Sequence, residues 1–294
     1  MAVLGRSGAS TGSERTRRPA LARCLRTAVP VKDRCMGYLG AEGARGPSRA
    51  IGERLRSWRP AIVAATLSIA GSLILAIVLV AIGFVITRSS LSPQIVGWDS
   101  SVERWIEVHR TATLDTWTDL GSIMGSTGTI LAVAGLAIIV LLIRRLWYDA
   151  AFVGLGLFIE FSAFLSATTI VDRPRPSITP LDPIPVTSSF PSGHTGAAIV
   201  TYMGLAIVIS SHVRNTALRV AVWILAALLP IYVGLSRVYR GMHHPTDVMS
   251  SVVLGVVALC FALLAVHTTA VVAERRRFRR VEAPVPRERS EVHS

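Results

Sequence analysis

Residues 61–87 read AIVAATLSIAGSLILAIVLVAIGFVIT, without one ionisable side chain. A helix of that length crosses about 30 Å of hydrocarbon with some tilt. Apolar runs of similar length recur at 120–143, 150–171, 194–211, 220–234 and 248–273. Lipid offers no partner to a bare peptide group, so such runs must be helical, with every backbone bond closed inside the segment. The expectation is an all-α, polytopic membrane helical bundle with about six transmembrane helices. The fifth run is short and contains Pro230, which predicts a kink.

Composition agrees. Of 294 residues 51% are hydrophobic, and the net charge of +13 is concentrated at the two ends. Three parts follow: a basic, disordered or loosely helical cytoplasmic segment (1–58), a membrane domain (59–273) and a basic cytoplasmic tail (274–294). Met36 is an alternative start. The basic residues flank apolar runs, so topology and anionic headgroups account for them and nucleic acid is not an expected partner. Cys24, Cys35 and Cys260 show no metal or disulfide spacing.

Between the first two spans, Arg88–Asp119 carries Asp99, Glu103, Glu107, Asp115 and Asp119. With Trp98, Val102, Trp105, Ile106, Val108 and Trp117 nearby, it reads as an amphipathic interfacial helix or a solvated loop. Glu160 stands alone within the third span and reads as a hydrogen-bonding group facing the bundle. Six spans put both termini on one side together with Arg144, Arg145, Arg214 and Arg219. The positive-inside tendency makes that side cytoplasmic in a cell membrane and turns the loops 88–119, 172–193 and 235–247 outward.

Three polar clusters share that outer side: Arg173-Pro174-Arg175-Pro176, Ser189-Phe190-Pro191-Ser192-Gly193-His194, and Ser236-Arg237 with His243 and Asp247. Charge at the edge of hydrocarbon is costly unless it serves a ligand or a reaction. Guanidinium forks suit tetrahedral oxyanions. Ser192 adds a hydroxyl, and Gly193 allows backbone amides to approach an anion at a helix start. A neutral His243 can attack phosphorus, Asp247 four residues on can lie beside its ring, and His194 can protonate the departing alkoxide. This chemistry requires neither metal nor cofactor.

The clusters resemble the three-part signature of the type 2 phosphatidic acid phosphatase and vanadium-dependent haloperoxidase superfamily, K-x6-R-P, P-S-G-H and S-R-x5-H-x3-D. The second part matches at Pro191-Ser192-Gly193-His194 and the third at Ser236-Arg237, His243 and Asp247; the first matches at Arg175-Pro176, with Thr168 where the family has lysine. The resemblance implies His243 as nucleophile, Asp247 as its orienter, His194 as acid, and Arg175, Ser192, Gly193 and Arg237 as phosphate ligands. Arg173 is a candidate replacement for the missing lysine. The expected function is a membrane phosphatase acting on a lipid phosphate or polyprenyl diphosphate through a phosphohistidine, with membrane lipids as surroundings. A lipid-linked phosphotransferase, a haloperoxidase and a non-catalytic phospholipid-binding or transport protein are the competing readings. His244 and Arg240 read as solvated or headgroup-facing.

Overall fold

A computed structural model describes residues 39–282, with side chains through Arg279. The reading of the N-terminal segment up to residue 38, and of the tail beyond 282, lies outside the described residues. Within them the chain is helical, with no strand. The helices are α1 (Pro47–Arg54), α2 (Pro60–Arg88), α3 (Ser92–Val108), α4 (Ala112–Met124) and α5 (Thr127–Ile143). They continue with α6 (Trp147–Val171), α7 (Gly193–His212), α8 (Thr216–Tyr239) and α9 (Pro245–Glu282).

Local sequence accounts for the helix starts. Proline opens α1, α2 and α9 at the first turn, where its missing N–H has no helical partner to lose. Thr111, Ser126 and Asn215 cap α4, α5 and α8 by accepting hydrogen bonds from Leu114, Thr129 and Leu218 amides. The second span begins earlier than its hydropathy suggests. Its halves α4 and α5 meet at a 46° bend, at Gly125 and the Ser126 cap. Counting this pair as one, six elements among the described residues are long and apolar enough to cross a membrane.

The fifth span is longer than expected, because α8 continues through Pro230 over 24 residues. In addition, α9 runs past the apolar stretch to residue 282, and the segment before α2 contains helix α1. These two polar extensions pack together: Ser48 accepts a hydrogen bond from Thr268, and Arg275 pairs with Glu53.

The core lies among α2, α6 and α9. Leu75 and Leu79, Phe152 and Ile159, and Leu254 with Ala258 and Ala262 are buried there, the alanines allowing close helix approach. Outward faces carry exposed Ile69, Leu73, Ile77, Leu136, Ile139, Leu228 and Leu235, as lipid-facing surfaces require. Glu160 is buried and faces α7 beside Gly196. At one end of the bundle the α6–α7 loop and the α8–α9 turn meet.

Candidate active site

The α6–α7 loop is held shut at its base. The Arg173 amide donates to Ser188 Oγ (2.9 Å), the Ser189 amide to the Arg173 carbonyl (2.9 Å) and Ser189 Oγ to the Pro174 carbonyl (2.8 Å). Buried Phe190 anchors the return into α7. Ser192 is the residue before α7; its hydroxyl meets Thr195 Oγ1 at 3.0 Å, and its carbonyl accepts from Ser251 of α9. On the other side Gly241, at φ 69°, turns the chain from α8 toward His243.

That zipped loop delivers a carbonyl to a histidine. His243 is buried, with Nδ1 2.6 Å from the Ser189 carbonyl oxygen. A carbonyl only accepts, so Nδ1 carries the proton and Nε2 keeps the lone pair of the neutral ring. Burial, then the charges of Arg237 and Arg175, hold the His243 pKa well below the usual imidazole value; His194 also acts on it. The two histidines and two arginines therefore share one electrostatic neighbourhood, as the three sequence clusters suggest. His194 sits on the first turn of α7, packed beside Gly125 at the α4–α5 bend.

The two arginines are pinned differently. Arg175 spends its terminal nitrogens on the carbonyls of Met242, Thr187 and Ser188. Arg237 uses Nη1 on Ser122 Oγ (2.5 Å) and Asp182 Oδ2 (2.6 Å). In both, Nε is buried without a protein partner among the described residues. A buried N–H left unpaired is costly, so each of these Nε groups is a candidate donor for an oxyanion.

Two expectations need correction. Asp247 does not hydrogen-bond the His243 ring; the Ser189 carbonyl takes that place. Its carboxylate caps α9 from within, accepting the His244 amide (2.9 Å), and also pairs with Arg173. Arg173 is likewise not spread toward the oxyanion donors. Its terminal nitrogens are taken by Asp247, Asp99 (2.7 Å) and Thr246 (2.9 Å), with the side chain 3% exposed. Thr168 is buried, its hydroxyl 3.5 Å from the Ser188 carbonyl.

Sequence reasoning missed the partners of this network. Asp99 and Glu103, 0% and 1% exposed, project from α3 into the site's flank. Asp99 binds Arg173 and Thr246, while Glu103 lies 2.6 Å from His244 Nδ1. The indoles of α3 face outward instead, Trp98 50% and Trp105 64% exposed. The signal was the spacing of Asp99, Glu103 and Glu107, which share one helix face. His244 and Arg240 are correspondingly buried rather than solvated. Burial opposes the charged form of His244, but the Glu103 hydrogen bond and the Asp247 charge outweigh it and raise the pKa.

Comparison with known proteins fits this geometry. The family model described as the PAP2 superfamily matches the part of the chain that holds all three clusters. That match covers residues 153–270. Within the curated proteins, phosphatidylglycerophosphatase B of Bacillus subtilis (strain 168) is 37% identical over 87 residues, 29% of this chain. The match spans 42% of that relative's length. The crystal structure of a transmembrane PAP2 type phosphatidylglycerolphosphate phosphatase from Bacillus subtilis superposes with a TM-score of 0.57 at 21% identity. It covers 66% of this chain and 92% of the other, so about two thirds of the chain has that fold. Aquifex aeolicus LpxE gives a TM-score of 0.43 at 25% identity, over 56% of this chain and 92% of its own.

Proposed function

We propose that the protein is a membrane phosphatase that hydrolyses a lipid phosphate or polyprenyl diphosphate through a phosphohistidine. The observation that carries this reading is the His243 ring: Nδ1 is spent on the Ser189 carbonyl, so Nε2 is the nucleophilic atom. The unpartnered Nε groups of Arg175 and Arg237, with Ser192 and the start of α7, supply donors for the phosphoryl oxygens.

In the first step the Nε2 lone pair forms the P–N bond and the bond from phosphorus to the leaving oxygen breaks. His194 gives that oxygen its proton. The ring becomes cationic, which strengthens Nδ1–H···O=C to Ser189. In the second step His194 accepts a proton from water as its oxygen attacks phosphorus. The P–N bond then breaks and its electron pair returns to Nε2, leaving inorganic phosphate. Asp247 acts through the backbone and Arg173 rather than through the ring. Guanidiniums and a helix terminus carry the transition-state charge, so the reaction proceeds without metal. With the basic end of the bundle cytoplasmic, the site faces outward, and lipid substrates reach it from the bilayer with their tails still in hydrocarbon.

The test is purified protein in detergent with phosphatidate, phosphatidylglycerol phosphate and isoprenoid diphosphates, with and without chelator and without added acceptor. Phosphate release that survives chelation and disappears in His243→Ala is expected. Equal background release by wild type and variant on every substrate would overturn the reading.

A further inference from the structure

The α6–α7 loop carries a carboxylate that the mechanism above does not use. Asp182 accepts at Oδ2 from Arg237 Nη1 (2.6 Å) and Ser122 Oγ (3.1 Å) and at Oδ1 from Arg240 Nε (2.8 Å), with Arg240 Nη2 forming an ion pair to Oδ1 at 2.7 Å. Backbone bonds fix the same spot: the Leu181 amide donates to the Arg240 carbonyl at 3.0 Å, and Arg240 Nη2 donates to the Leu181 carbonyl at 3.2 Å. Arg240 is itself clamped to α4 through Asp119 (3.3 Å) and the Asp115 carbonyl (3.0 Å). Burial would raise the Asp182 pKa, but Arg240 and Arg237 together bring it below the usual carboxylate range.

Asp182 is thus held rigidly by one arginine and holds another. The Nη1 corner of Arg237 is committed to Asp182 and Ser122, whereas its Nε has no protein partner among the described residues. A planar guanidinium fixed at one corner has its remaining N–H groups fixed in direction too. We propose that Asp182 is a positioning residue for phosphate binding: it orients Arg237 so that Nε is presented to the phosphoryl group. The inference rests on the reading of Arg237 as a phosphate ligand. It makes the loop, rather than the helices alone, the element that sets grip strength.

Charge and geometry act in opposite senses here. Removing a carboxylate makes the site more cationic and by that alone would tighten an anion. Releasing Arg237 would loosen it. Two substitutions separate the effects, because Asp182→Asn drops the charge but keeps an oxygen that accepts from Nη1, whereas Asp182→Ala removes both.

The experiment measures inorganic phosphate binding to the full chain in detergent by calorimetry, alongside kcat and KM on a lipid phosphate. Asp182→Ala is expected to bind phosphate about ten-fold more weakly and to raise KM about as much, the scale of one lost charge-assisted hydrogen bond. Asp182→Asn should bind at least as tightly as wild type. In an Arg237→Ala background, Asp182→Ala should cause no further loss. Asp182→Ser, a second truncation, serves if the alanine variant does not survive purification. The proposal is overturned if the truncated variants bind phosphate as tightly as wild type, if their loss persists without Arg237, or if wild type has no affinity for phosphate. Binding that follows the expected pattern without any lipid hydrolysis would leave the positioning role standing and sink the phosphatase reading instead.

Discussion

Arg173 and Asp247, 74 residues apart in sequence, form an ion pair with side chains 3% and 0% exposed. Asp99 closes it from the opposite side, so one guanidinium bridges α3, the α6–α7 loop and the start of α9. Asp247 of the pair also accepts the His244 amide, so its loss should be felt first as loss of structure.

Arg173→Ala strands two buried carboxylates, a change worth roughly 3–5 kcal/mol in comparable buried pairs. A marked drop of the thermal midpoint in detergent is expected. Arg175→Ala, whose partners are backbone carbonyls, should keep its midpoint near wild type and lose about a hundredfold in kcat/KM. A wild-type midpoint for Arg173→Ala with a selective rise in KM would return Arg173 to the phosphate ligands.

The proposed nucleophile sets the acid side of the pH profile. Its neutral form is the reactive one, and burial, Arg237 and Arg175 depress its pKa. The acid limb of kcat/KM should therefore lie below the ordinary imidazole value of about 6.5. For stability the sign is the same. The unfolded chain takes up the proton first, so the contribution of His243 is full above about pH 6.5 and is lost as pH falls toward the folded value. His243→Gln should abolish turnover and reduce the acid sensitivity of the thermal midpoint; an acid limb above 6.5 in wild type contradicts this assignment.

His244 behaves in the opposite way. Its pKa is raised, so its stabilisation is full below about pH 6.5 and is lost as pH rises through the elevated folded value. Glu103→Gln should lower the midpoint and flatten its slope on the alkaline side. A slope identical to wild type would show that the pair is not the titrating element.

Gly125 tests the bend. A methyl group there would lie 2.5 Å from a Val233 methyl and 3.1 Å from His194 Cβ. Gly125→Ala should displace the proposed acid and reduce kcat by one to two orders of magnitude, roughly the cost of an ångström's misplacement. Since phosphate contacts lie elsewhere, KM should stay close to wild type; a shift confined to KM would argue against His194 as the group moved.

The spans were legible because hydrocarbon imposes a simple demand on composition, and 61–87 meets it without exception. The meeting of Arg175, Ser192, His194, Arg237 and His243 at one end was legible from the parity of those spans. Asp182, Asp99 and Glu103 were not assigned partners, since pairing across 55 to 147 residues leaves no local pattern. The exposed indoles of α3 fit the interfacial helix expected there. What composition left open is the opposite face, whose Asp99 and Glu103 turn inward to Arg173, Thr246 and His244. The break of the second span was masked because Gly125 and Ser126 interrupt charge-free sequence without lowering its hydropathy much.

The acids of α3 also bear on how the molecule can be divided. The region recognisable by kinship, 153–270, contains Arg173, His244 and Asp247 but neither Asp99 nor Glu103, and it omits Ser122 of α4. A fragment trimmed to those borders would keep every signature residue while taking Asp99 from Arg173 and Glu103 from His244. Borders drawn to include α3 would keep both of those acids with their partners.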